Sequence, residues 1–166
     1  MNTALMTDSS SRISEAETRH FHPRVVDALR ELVGARTKLR ESQSTLRVKG
    51  LIHAPLKRAM YDREAAQQVV SDATFALMDA IDVSLDEHSR PADAPFNLII
   101  LDALIDLIRA RKAWLESKRK IQAETLFGKT LAGSPHCEEV HDRACDQVRT
   151  AKCGLNDAID FCAEFE

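Results

Sequence analysis

The sequence predicts an all-α protein: an antiparallel bundle of about four long helices with a short N-terminal helix. Three observations carry that expectation. Apolar residues recur at spacings of three, four and seven over long stretches, the period of a helix with one buried face. Helix-start signals stand at Ser14 and Ser134, where a small hydroxyl accepts from the free N–H groups of a first turn. Aromatic residues are only 5% of the 166, and there are five glycines, too few strand formers and turns for a sandwich or barrel. No β-sheet is expected.

Residues 1–13 read as a disordered tail and 14–166 as a single helical-bundle domain. Ser14 and Glu17 form an S-x-x-E capping box for the short helix, which Pro23 interrupts or restarts. From Arg24 to about Val48, Val25, Leu29, Leu32, Leu39 and Leu46 mark the apolar face of the first long helix. Lys49-Gly50 ends it, and Pro55 suits the first turn of the next. That second helix carries Leu56, Met60, Val69, Val70, Ala73, Leu77 and Ile81 and fades near Leu85. A polar loop with two prolines spans 86–95, with Asp93 as a candidate cap for a third helix from about Pro95 to Phe127. Ser134-Pro135 opens the fourth, which runs to the C-terminus on a regular seam of Cys137, His141, Ala144, Val148, Ala151, Leu155, Ala158, Cys162 and Phe165. Gly154 is its weak point. Helices of this length joined by short loops default to up-down-up-down order.

The first thirteen residues lack the apolar run of a secretory signal. The most apolar stretch, Phe96 to Ile108, contains Asp102 and Asp106 and falls short of the roughly twenty residues of a membrane span. A soluble, cytoplasmic protein with no membrane partner is expected. Cys137, Cys145, Cys153 and Cys162 share one helix, with neighbours about 12–13 Å apart. That exceeds the reach of a disulfide, so reduced thiols are expected, with Cys153 exposed opposite the seam.

Two features are unusual. On a helical wheel the apolar residues of 96–108 cover about 260°, more than one bundle face needs. Either this is a central helix wrapped by the others, or it forms the interface of a homodimer; the dimer is preferred, with Leu98, Leu101, Leu104, Ile105 and Ile108 as candidates. Charge is also segregated: net +6 over 36–63, −7 over 72–106 and +5 over 109–129. In an up-down-up-down bundle the two basic stretches meet at one tip. Arg36, Arg40, Lys49, Arg63, Arg111, Lys112, Arg119 and Lys120 would then present a surface for an anionic partner.

No catalytic set, metal site or cofactor motif emerges. Glu17…His20 and Glu138…His141 have the E-x-x-H spacing of di-iron bundles, yet they lie near helix starts at opposite ends of the bundle. Cys137, His141 and Cys145 follow at i, i+4 and i+8, too extended for one ion, and read as seam filling. Phe127-Gly-Lys-Thr130 lacks the earlier glycine and the strand of a phosphate-binding loop. His53 is followed by Pro55, which breaks any helix that would present it.

The run Lys49-Gly-Leu-Ile-His-Ala-Pro55, followed by Asp62-Arg63-Glu64, resembles the first helical corner of the all-α chorismate mutases. The resemblance implies a bundled dimeric enzyme that binds a dicarboxylate through Arg36 or Arg40, Lys49 and Arg63. The sequence departs from that pattern: the Lys49–Arg63 spacing is two residues too long. The third-helix positions that should carry polar ligands read Ala103 and Leu107, or Ile108 and Lys112. The last thirty residues have no counterpart. The leading expectation is therefore a non-enzymatic bundle that binds a protein or other anionic macromolecule. A nucleic-acid binder using the basic tip and the chorismate-mutase-like enzyme are the alternatives.

Overall fold

His22 sets the start of the first helix. Its carbonyl accepts from the N–H groups of Val25 and Val26, and its Nδ1 accepts from Arg24 N–H at 3.2 Å, so the orphan donors of the first turn are satisfied. Pro23, which has no N–H to orphan, takes the first helical position. The computed structural model describes residues 20–48, 54–87, 92–126 and 135–164. Four helices carry nearly all of these: α1 (Pro23–Val48), α2 (Ala54–Asp86), α3 (Leu98–Leu126) and α4 (Pro135–Cys162). The protein is an all-α helical bundle, as the periodicity predicts.

Three local expectations need correction or lie out of view. The absence of β-structure is overturned by a small ribbon: β1 (His20–Phe21) pairs antiparallel with β2 (Ala92–Asp93), His20 opposite Asp93 and Phe21 opposite Ala92. Phe21 is half-buried against the core, and His20 Nδ1 lies 2.9 Å from a carboxylate oxygen of Asp93. Asp93 therefore belongs to the ribbon. The cap of α3 is Asn97, whose Oδ1 accepts from Ile99 N–H at 3.0 Å. The expected N-terminal tail and the Ser14–Glu17 capping box of the short helix lie outside the described residues, and His20, where that helix was expected to continue, is extended.

α1 and α2 pack along each other as one hairpin, and α3 and α4 as another. The second hairpin lies across the first rather than alongside it. On α3, Leu101 packs on Val26 of α1, whereas Arg111, about 15 Å further along, reaches Asp82 of α2. On α4, Cys145 and Val148 face the Ser71–Met78 stretch of α2, and Asp160 faces Arg36 of α1. The up-down-up-down order does not hold. Asp82 pairs with Arg111 and Asp86 with Arg119, so both partners advance along the chain. Arg36 with Asp160 and Arg40 with Glu164 likewise join α1 to the end of α4.

The core sits at this crossing. Each helix contributes at least two fully buried large side chains: Val25, Leu29 and Leu32, Leu77 and Ile81, Leu104 and Leu107, Leu155 and Ile159. Ala28, Ala35, Ala73, Ala80, Ala110, Ala144 and Ala158 are also buried, and their small side chains let the helix axes approach. The seam expected on α4 is buried at Ala144, Leu155, Ala158 and Cys162, while Phe165 lies outside the described residues. The four cysteines are not disulfide-bonded; Cys153 is exposed and Cys162 buried. No described helix is long and apolar enough to cross a membrane.

Candidate functional site

Beyond the crossing, the first hairpin continues as an arm. Among the described side chains, none on α1 after Ala35 and none on α2 before Val70 is buried. Past Arg40, the last described α1 side chain bound to the end of α4, the arm extends about 12 Å along α1 to Val48. The reason is compositional: over 36–46 the only apolar residues of α1 are Leu39 and Leu46, enough to join two helices and too few to seat a third layer.

Of the eight cations expected at one tip, the crossing disperses the seven that are described. Arg36 is bidentate to the Asp160 carboxylate, with its side chain only 16% exposed, and Arg40 donates to the Asp160 carbonyl at 3.3 Å and approaches Glu164 at 3.7 Å. Arg111 is bidentate to Asp82 at 2.6 and 2.7 Å, with its guanidinium 4.1 Å from the centre of the Trp114 ring. Arg119 pairs with Asp86 at 3.1 Å. These four arginines tie helices together. Lys112 and Lys120 are exposed on α3, at the opposite end of the first hairpin from Arg63, because α3 meets α2 at its C-terminal end. Lys49 lies outside the described residues. The premise of a single basic tip on three helices is thus corrected: the basic stretch of α3 lies against the acidic end of α2.

What remains on the arm is a smaller and differently composed surface. Lys38 lines a groove with Glu31 and Asp72 nearer the crossing, and beyond it Lys57, Arg58 and Arg63 are exposed, in no ion pair with a described residue. Beside them on α2, Leu56, Met60 and Tyr61 are exposed, Tyr61 at 64%. Leu56 and Met60 are one turn apart, so they share a face. The sequence placed Leu56 and Met60 on the apolar face of a buried helix; the missing signal was the absence of any third-layer partner for that end of the hairpin.

The five interface candidates divide as well. Leu101 and Leu104 are 3% and 0% exposed, so both are core residues and no interface can use them without unfolding. Ile108 is half-buried against the same core, Ile105 is half-buried, and Leu98 is exposed along with Ile99. The wide apolar arc of α3 is covered largely by its own chain. It touches α1 and α2 on one side and α4 on the other, and so has two faces to bury.

An open groove of about 650 Å³ runs between α3 and α4, lined by Ala103, Ala110, Ala151 and Gly154 with Asp106, Arg109 and Asp146 at its rim. The rim is self-paired: Arg109 with Asp106 at 3.3 Å, and Arg149 with Asp146 at 3.1 Å. It offers no spare charge to a ligand. His20, of the first E-x-x-H pair, lies in β1, and among the described residues no three His, Cys, Asp or Glu side chains gather as a metal site would need.

Fold and surface together define a class: a crossed double-hairpin bundle with a projecting, cation-bearing arm. No protein-family model, curated protein or solved structure matches this chain.

Proposed function

We propose that this is a non-catalytic binding protein that uses the α1–α2 arm to hold an acidic, partly apolar protein surface. The observation that supports the reading is a contrast. Arg36, Arg40, Arg111 and Arg119 are spent on internal pairs, whereas Lys57, Arg58 and Arg63 on the arm are in no ion pair with a described residue and stand beside exposed Leu56, Met60 and Tyr61. Unpaired cations steer an anionic partner to the arm, and the apolar side chains supply the area that holds it. The exposed Leu and Met favour a protein over a nucleic acid, which would be gripped by phosphate contacts and base stacking.

The chorismate-mutase-like reading draws less support. It needs Arg36 or Arg40 turned toward a shared dicarboxylate with Arg63, and both of the former are bound to the end of α4. Self-association draws less support too, since two of its anchors, Leu101 and Leu104, are in the core.

The test is a variant carrying Lys57→Glu, Arg58→Glu and Arg63→Glu, compared with the parent for retention of proteins from its native source at rising salt and after nuclease treatment. A partner held by the parent at low salt, released by salt and lost in the variant is the expected result. Retention equal in both proteins overturns the arm as the site, and loss of all retention on nuclease treatment moves the reading to nucleic acid.

A further inference from the structure

Away from the arm, one cluster joins a thiol, an imidazole and a hydroxyl in a fixed order. His141 and Cys145 lie one turn apart on α4, with Cys145 Sγ 3.7 Å from His141 Nε2. The other ring nitrogen, Nδ1, is 2.9 Å from Ser117 Oγ on α3, and that hydroxyl is 2.7 Å from the carbonyl oxygen of Trp114. Ser117 is 4% exposed. The carbonyl can only accept; with the Ser117 hydrogen on it, Ser117 Oγ accepts from His141 Nδ1–H. In that arrangement Nε2 is the bare nitrogen, 3.7 Å from the Cys145 thiol. The contacts around Ser117 are those of the tautomer in which the imidazole can take the thiol proton.

Cys145 also opens onto a groove of about 330 Å³ between α2 and α4. Phe75, Met78 and Val148 make its apolar part, and Arg149 and Lys152 border it. Asn156 lines the same groove, its Oδ1 buried and reached by no donor among the described residues. Lys152 has no acidic partner among the described residues. The groove therefore offers one unpaired cation, Lys152, for a carboxylate and an apolar wall for methylenes, with a thiol among them, while Arg149 is paired with Asp146.

We propose that Cys145 is a nucleophilic thiol that forms a mixed disulfide with a small acidic peptide disulfide. His141 Nε2 takes the Cys145 proton, and the thiolate attacks one sulfur of the incoming disulfide. A new S–S bond forms, the original one breaks, and its electron pair leaves with the departing sulfur. The imidazolium returns the proton to that leaving thiolate, so one thiol is released for each Cys145 modified and His141 ends neutral. Ser117 is a positioning residue that holds the ring in the productive tautomer.

Exposure alone ranks the thiols the other way, since Cys153 is exposed and Cys145 half-buried. The intact protein is treated with oxidised glutathione, quenched with acid at intervals and mapped by peptide mass. Cys145 is expected to be modified at least about tenfold faster than Cys153, since a positioned base contributes about 10²–10⁴-fold and half-burial of Cys145 offsets part of it. His141→Gln should remove that advantage while Cys153 is unchanged. Lys152→Gln should slow the reaction with oxidised glutathione but not with cystamine, a cationic disulfide. Earlier modification of Cys153 in the unaltered protein overturns the proposal without recourse to any variant. An unchanged Cys145 rate in folded His141→Gln, verified by circular dichroism, overturns the role of the imidazole.

Discussion

Leu98 and Leu104 are the same residue type on the same helix, and the structure gives them opposite parts. Leu104 is fully buried at the crossing, and Leu98 is 51% exposed. Leu104→Ala should cost roughly 2–5 kcal/mol in denaturant unfolding, transfer and cavity terms combined, and Leu98→Ala should stay within about 0.5 kcal/mol of the parent. Equal effects would mean that α3 is rotated from the orientation described. Gly154 interrupts α4 without need: a Cβ there would meet nothing within 4 Å. Gly154→Ala should therefore stabilise by about 0.5–1 kcal/mol through backbone entropy alone, read as a higher denaturation midpoint with an unchanged slope. At this scale the sequence was a good guide to residue type and a poor one to partner. The arc of α3 announced several buried leucines, but which of them face a neighbour depends on how many neighbours the helix has.

Among the elements, the joints between hairpins rest on charged side chains. Arg111 lies between Asp82 and the ring of Trp114, with Lys118 Nζ also 5.0 Å from the ring centre, and its side chain is only 16% exposed. A guanidinium satisfies a bidentate carboxylate and an aromatic face together, and an ammonium does not. Arg111→Lys should lower stability by about 1.5–3 kcal/mol, and Asp82→Asn by a comparable amount, with much less than the sum of the two in the double variant. Simple addition of the two losses would show that the pair is not coupled. Arg111→Glu would set a carboxylate against Asp82, so it reports on the fold rather than on partner binding. The charge runs were legible in the sequence, as were the four helices, whose ends fall within a few residues of expectation. Their pairing was not: a run of cations reads the same whether it faces solvent or an acidic helix.

For the molecule as a whole, the crossing changes the expected assembly. The excess apolar arc that suggested a homodimer is buried between α1, α2 and α4, leaving Leu98 and Ile99 as its largest exposed remnants. Light scattering at micromolar protein should give a mass close to 18.6 kDa, and twice that value would require an interface built on other residues. The crossing also leaves the end of the first hairpin without a third layer, which is why the exposed cations and apolar side chains of the arm stand together.

The sequence by itself determined the class and the elements: helical periodicity, Pro and Gly placement and the scarcity of strand formers left no other architecture. It also put all four cysteines on one helix, too far apart to bridge. Only the tertiary structure decided that one hairpin lies across the other, that Arg36 and Arg111 are joints rather than contact residues, and that Ser117 and Cys145 meet at His141. The physical reason is that a helix's apolar stripe specifies that it packs and with which face. The angle at which two such faces settle depends on how the side chains of both interlock, and no single helix carries that information in its own residues.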